Sequence, residues 1–229
     1  MRTLRAVLFD AGDTLFRVRG SVGEVYATVA ARHGVTVAPA AIEQRFRGVF
    51  RAMPPLAFPY SSEAEWPARE YAWWRDLVAR VFADIPFAGF DAFFGELFDY
   101  FARPESWELF DDVIPALDEL RRRDLRLAVV SNFDGRLTRI CEGLGIANRF
   151  DAIVMSGRVG AAKPDPKIFS VALRRLGVAA REALHVGDSE KEDLAGAQAC
   201  GLRALLLQRD GPASTAHSIG DIRTLIGCL

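Results

Sequence analysis

Cysteine is scarce in this chain: Cys141, Cys200 and Cys228 are the only three, they lie far apart, and their number is odd. No disulfide framework fits that pattern, so the three read as reduced thiols of a cytosolic protein. An excess of either charge is lacking too. The 29 basic and 30 acidic residues leave a formal net charge of -1, which gives no whole-chain attraction to nucleic acid or to an anionic membrane. No apolar run approaches the roughly 18 residues that a membrane-spanning helix needs. The opening Met1-Arg2-Thr3-Leu4-Arg5 lacks the long apolar region and small-residue cleavage site of a secretory signal, and the expected location is cytoplasmic. Lysine is nearly absent, at Lys163, Lys167 and Lys191 against 26 arginines, so each lysine that remains calls for scrutiny.

What is present suits a folded chain of one large or two modest domains. Half of the 229 residues are apolar and 26% are charged, which argues against disorder. Residues 5–9 (R-A-V-L-F) read as a buried strand, ended by Asp10-Ala11-Gly12-Asp13. Similar runs recur at 125–130, 152–155, 183–186 and 203–207. Amphipathic helical patterns separate them at 113–123, 136–144 and 166–176, the last two closed by Gly145 and Gly177. The alternation predicts an α/β fold with a doubly wound, Rossmann-like parallel sheet covered by helices on both faces. Residues 17–103 break it. They hold all four tyrosines, ten of the sixteen phenylalanines, and Trp66, Trp73 and Trp74. Their candidate elements, 22–32, 40–52, 63–85 and 90–101, are all helical. The expected organisation is a core of residues 1–16 and 104–229, with a mainly helical domain of residues 17–103 inserted after the first strand.

In an open parallel sheet, ligands bind beyond the carboxyl ends of the strands. The residues that follow the strands are Asp10 and Asp13-Thr14, then Ser131-Asn132, then Lys163-Pro164-Asp165-Pro166, then Gly187-Asp188-Ser189 and Asp193. Asp10 and Asp188 on neighbouring strands would repel unless a cation lay between them, and an all-oxygen donor set suits Mg²⁺. Such an ion with a lysine would hold a phosphate-like anion and spread its charge in the transition state. Ser131, with backbone N–H groups leading into the next helix, is a candidate phosphate cradle. Asp10 is then placed as a nucleophile towards phosphorus.

The motifs F-D-A-G-D-T-L (9–15), V-S-N (130–132), K-P-D-P (163–166) and V-G-D-S-E-K-E-D (186–193) occur in the order in which the haloacid dehalogenase-like hydrolases carry them. The chain resembles that family along its whole length, and the insertion after the first motif resembles the family's helical cap of the first type. The resemblance implies that Asp10 is the nucleophile that becomes an aspartyl phosphate and is also a Mg²⁺ ligand. It implies that Ser131 and the Asn132 amide bind phosphoryl oxygens and that Lys163 neutralises nucleophile and phosphate. Asp188 would be the second metal carboxylate, and Asp193 an acidic residue supporting the metal site from behind. Thr14 stands where the family's motif-one threonine stands, and is expected to contact substrate.

One position departs from the pattern. The family's phosphatases carry a second aspartate two residues after the nucleophile, to protonate the leaving group and activate water. Gly12 stands there, and an aspartate follows one place later, at Asp13. Gly12 can offer its carbonyl to Mg²⁺, but it cannot transfer a proton, a step worth about 10²–10⁴-fold in rate. Either Asp13 reaches the site through an altered turn, or another group or water substitutes, or the protein catalyses poorly. The expected function is thus Mg²⁺-dependent hydrolysis of a small phosphate ester. The alternatives are a catalytically weak phosphoryl-ligand-binding or regulatory protein and a metal-independent, dehalogenase-like hydrolase. The expected partner is a small phosphorylated molecule, with neither nucleic acid nor membrane, and the chain could be a monomer or a dimer.

Other polar residues read as structural. Ser189 and Glu192 match an S-x-x-E capping box, and Glu190, Lys191 and Glu192 a solvated first turn. His185 reads as a buried sheet histidine, His33 as a helix-end residue, His217 as exposed, and Arg121, Arg122 and Arg123 as a solvated helix end. The adjacent Trp73 and Trp74 cannot face one core together, so one of them turns towards the cleft or the surface. The aromatic helices would give an apolar roof to a substrate with an apolar portion.

Overall fold

Ala6–Phe9 forms β1, four apolar residues with no exposed surface on either face, as the middle strand of a doubly covered sheet requires. Seven further strands follow: β2 (Phe16–Val18), β3 (Trp107–Leu109), β4 (Arg126–Ser131), β5 (Ala152–Met155), β6 (Ala183–Gly187), β7 (Arg203–Leu207) and β8 (Ser218–Ile219). These elements belong to a computed structural model that describes residues 4–209 and 217–228; Met1, Arg2 and Thr3, read above for a targeting signal, lie outside the described residues. Six strands make one sheet in the order β5-β4-β1-β6-β7-β8, every pair parallel. The fold is the α/β, doubly wound type that the alternation predicted. β1 stands between β4 and β6, with Phe9 opposite Val129 on one side and Val186 on the other. The carboxyl ends of these three strands therefore open into one crevice.

The helices are α1 (Val22–Arg32), α2 (Pro39–Ala52), α3 (Trp66–Val81), α4 (Phe90–Phe101), α5 (Val113–Arg122), α6 (Arg136–Gly143), α7 (Ser156–Val159), α8 (Pro166–Leu176), α9 (Gly196–Ala199) and α10 (Leu225–Cys228). Alternation along β1 sorts them. Val7 and Phe9 join Val113, Leu117 and Leu120 of α5 and Leu137 and Ile140 of α6 on one face. Ala6 and Leu8 join Ile168, Phe169 and Ala172 of α8 on the other. Gly177 ends α8 at φ +63°, a left-handed conformation that favours glycine.

Helices α1–α4 bury a third core of their own around Tyr26, Leu77, Phe93, Phe94 and Leu97. The third helix is shorter than the pattern 63–85 predicts. It starts at Trp66, with Pro67 in its first turn, where a missing N–H costs nothing. Ahead of it, Ser62 N–H and Oγ donate to the Glu65 carboxylate at 2.8 and 2.7 Å and close a separate turn. The chain enters and leaves this bundle through β2 and β3, an antiparallel ribbon with Arg17 opposite Glu108 and a 2.7 Å ion pair between them. No expectation covered that ribbon or β8. Among the described residues no helix is long and apolar enough to cross a membrane.

Candidate active site at the carboxyl edge of the sheet

Asp10 follows the last residue of β1, and its backbone N–H donates to Val186 O at 2.9 Å, so the main chain there is held against β6. Its carboxylate is largely buried, at 8% exposure for the residue, and Oδ1 accepts a hydrogen bond from Lys163 Nζ at 2.6 Å. The loop carrying Lys163 is fastened by Asn132. That side chain accepts from Lys163 N–H at 2.7 Å and donates to Lys163 O at 3.0 Å. The Asn132 side-chain amide is therefore spent on positioning the lysine, and its role in holding an anion would fall to the main chain. Ser131 closes β4 with 3% exposure.

Asp193 stands behind the lysine, 1% exposed. Its Oδ1 accepts from Lys163 Nζ at 2.5 Å and pairs with His185 Nε2 at 2.8 Å, and its Oδ2 accepts from Ser189 N–H at 3.0 Å. Burial alone would raise its pKa, but Lys163 and His185 hold it well below the ordinary carboxylate range. For Lys163, burial opposes the ammonium, and the charges of Asp10 and Asp193 outweigh it and hold the pKa above the ordinary lysine value. The lysine is thus a fixed cation. Gly187 lets Asp193 come this close, because a Cβ there would collide with the Asp193 carboxylate.

Asp188 follows β6 on the strand next to Asp10. Carboxylate oxygens of Asp10, Asp188 and Asp193 lie within 4.8 Å of one another. Asp188 keeps an exposed edge, yet removal of water around its carboxyl, followed by the charges of Asp10, Asp193 and Asp13, pushes its pKa up to about 7. Two hard oxygen donors short of positive charge are what Mg²⁺ binds. With its own oxygens engaged by three donors, Asp193 is better placed to fix Lys163 than to coordinate an ion. Thr14, fully buried, donates to Asp188 Oδ1 at 3.4 Å.

The departure at Gly12 is now a matter of space. A Cβ built on Gly12 meets no atom within 4 Å, so the place of a second carboxylate is open. Asp13 is exposed and sits in the turn at φ +53°, its N–H donating to Phe16 O at 2.8 Å. Its charge is felt at Asp188.

Two structural expectations need correcting. Glu190 and Lys191 are exposed as expected, but Glu192 is half-buried and accepts from Asn132 Nδ2 at 2.9 Å. Burial, more than offsetting the nearby Lys163 charge, raises its pKa. The cause is the backbone: Glu190–Ala195 winds as a π turn, with Leu194 N–H donating to Ser189 O at 3.1 Å. That wider turn aims two consecutive acids, Glu192 at Asn132 and Asp193 at Lys163, into one site. Ser189 caps Glu192 N–H at 3.2 Å, but Asp193 rather than Glu192 bonds back to Ser189 N–H, so the capping box is not reciprocal. His185 is buried as expected, but it belongs to the site through Asp193 rather than to the core alone. The signal that could have found both was proximity in the chain: each lies within eight residues of Asp193.

The helical bundle meets the sheet beside Asn132. Trp74 turns to the sheet and donates to Asp134, while Trp73 donates to Pro54 O at 3.0 Å, so neither indole N–H is left to an open cleft. Glu70 accepts from Gly135 N–H at 3.0 Å and from Arg158 at 3.3 Å.

Comparison with known proteins fits this geometry. The family model described as haloacid dehalogenase-like hydrolase matches residues 4–201. The haloacid dehalogenase-like hydrolase domain-containing protein 3 of Mus musculus is 38% identical over 216 residues, 93% of this chain and 85% of that protein. A phosphoserine phosphatase of Thermus thermophilus is 30% identical over 243 residues, 96% of this chain and 97% of that one. The magnesium-bound HAD-hydrolase YfnB of Bacillus subtilis shares the fold at a TM-score of 0.74 and 18% identity, over 99% of each chain. On its motifs, its sheet and these relatives, the chain belongs to the haloacid dehalogenase-like hydrolases.

Proposed function

We propose that the chain is a magnesium-dependent hydrolase of small phosphate monoesters that works through an aspartyl phosphate on Asp10. The observation that carries the reading is the Lys163 ammonium 2.6 Å from Asp10 Oδ1, with the Asp188 carboxylate beside it on the next strand. Held by Asp10 and Asp188, with the Gly12 carbonyl as the expected further oxygen donor, Mg²⁺ would shield the two carboxylates from each other and draw charge from the phosphoryl oxygens. Asp10 attacks phosphorus in line, the ester P–O bond breaks, and the leaving oxygen takes a proton. Lys163 neutralises the charge that gathers between nucleophile and phosphoryl group. Ser131 and the main chain after it hold the phosphoryl oxygens. Water then cleaves the aspartyl phosphate and frees inorganic phosphate. Asp13 is the carboxylate at hand for both proton transfers. Residues 17–103 act as the cap that keeps bulk water from the crevice.

A second reading is favoured by Gly12 itself: with no carboxylate at that position, the chain would bind phosphorylated ligands and turn them over slowly. Dehalogenation without metal is disfavoured, because Asp188 and Asp13 crowd negative charge around the nucleophile. The experiment compares an aryl phosphate, whose leaving group needs no acid, with an alkyl phosphate, each with Mg²⁺ and with chelator. The proteins are wild type, Asp10→Asn, Asp13→Ala and Gly12→Asp. The proposal expects Mg²⁺-dependent turnover that vanishes in Asp10→Asn, loss of the alkyl ester alone in Asp13→Ala, and faster alkyl turnover in Gly12→Asp. Turnover of neither ester with Mg²⁺ binding intact would establish the second reading. Activity indifferent to chelator would establish the third.

A further inference from the structure

We infer that His185 is a positioning residue for the reaction, acting through Asp193 on Lys163. The inference rests on the roles given above to Asp10 and Lys163. Four side chains form one line: His185 Nε2 to Asp193 Oδ1 at 2.8 Å, Asp193 Oδ1 to Lys163 Nζ at 2.5 Å, and Lys163 Nζ to Asp10 Oδ1 at 2.6 Å. The three contacts cross from β6, through the π turn, to the loop before α8 and the end of β1.

An ionised carboxylate only accepts, so Nε2 carries the proton that it gives to Asp193. His185 Nδ1 is then left buried with no hydrogen-bond partner among the described residues. The ring itself lies edge-on to Phe169, centroids 5.2 Å apart, in register with Leu8 and Ala204 on the apolar face that also buries Ala172. A leucine would suit that layer without orphaning a nitrogen, so the fold alone gives no reason for histidine here. The site gives one. Oδ1 of Asp193 serves two donors at once, and Ser189 N–H pins Oδ2. Without the imidazole the carboxylate can rotate about its remaining bonds, and the ammonium loses its fixed distance from Asp10. The effect falls on charge placement in the transition state, which is sensitive to small displacements.

The test uses the full chain as wild type, His185→Leu and His185→Gln, the glutamine amide offering an N–H in place of Nε2. Turnover of 4-nitrophenyl phosphate with Mg²⁺, the affinity for inorganic phosphate and the urea midpoint are measured for each. The inference expects kcat to fall about 10–100-fold in His185→Leu, the affinity for inorganic phosphate to weaken with it because Lys163 also faces the bound anion, and most of both losses to be recovered in His185→Gln. Equal kcat in all three proteins, or equal losses in the two variants, overturns it. If the wild type turns over no ester, the phosphoryl-transfer reading has failed separately, and phosphate affinity decides the inference. Weaker binding in His185→Leu with recovery in His185→Gln supports it; unchanged binding overturns it. A fall that follows the urea midpoint across the variants assigns His185 to the fold and also overturns it.

Discussion

Trp74 gives its indole N–H to Asp134 Oδ2 at 2.5 Å, and Asp134 has no exposed surface at all. The same carboxylate accepts from Arg136 Nη2 at 2.6 Å, and that guanidinium lies over the rings of Trp74 and Phe98, 4.9 and 4.3 Å from their centroids. Helix α3 and helix α4 of the bundle therefore grip the turn that directly follows Ser131 and Asn132. These contacts join the segment assigned to phosphoryl binding to the segment assigned to roofing the site.

Trp74→Phe keeps an aromatic side chain but removes the N–H together with the indole's second ring. It leaves a buried carboxylate one donor short, and the expected loss is about 1.5–3 kcal/mol of unfolding free energy by urea titration. A loss under about 0.5 kcal/mol would show that Arg136 alone satisfies Asp134.

Glu70 supplies the pH dependence of the same contact. Burial first, and then the Asp134 charge, raise its pKa above the ordinary glutamate value, although Arg158 and Gly135 N–H pull it down. A carboxyl whose pKa is raised by folding binds its proton more tightly in the native state, so it lowers stability as pH rises from the unfolded-state value through the folded one. Wild type should therefore gain stability relative to Glu70→Gln as pH falls from 8 towards 5. Unfolding measured at several pH values checks this, and a constant difference would contradict it.

Gly187 and Gly12 form a controlled pair. Gly187→Ala drives a methyl group into the Asp193 carboxylate and should cost about 1–3 kcal/mol together with most of the activity. Gly12→Ala meets nothing within 4 Å and should leave the unfolding free energy within about 0.5 kcal/mol of wild type. Equal losses at the two positions would refute the close approach assigned to Asp193.

Asp188→Asn removes one of the crowded carboxylates. The metal-free variant should be more stable than wild type, because Asp10 and Asp193 no longer face a third charge. Wild type should gain about 2.7 kcal/mol at a Mg²⁺ concentration one hundred times Kd, and the variant should gain far less at the same concentration. Thermal unfolding with and without Mg²⁺ reads both effects.

The strand exits were legible because chemistry and topology coincide there. A short apolar run that stops at Asp10, Ser131 or Asp188 announces a buried parallel strand and a polar edge at once. Pro166–Leu176 and Ala152–Met155 were equally plain, one from its periodicity and closing glycine, the other from its unbroken apolar run. β2 and β3 were not, since three residues hold too little of a period-two pattern to register. Glu192 was hidden by the π turn, which has no residue signature of its own and moves side chains off the angles an α-helix would give. Glu70, Trp74, Asp134 and Arg158 were hidden by distance: the partners are 60 to 88 residues apart, and only the fold brings them together.

The pairing of β2 with β3 limits how the aromatic bundle can travel over Asp10. Two separate tethers would permit swivel, slide and tilt alike. A doubled strap, laced by its ladder and by Arg17 and Glu108, resists shear in its own plane and flexes only out of it. Bending of that strap out of its plane is therefore the displacement of the bundle that a spectroscopic distance across the crevice would read.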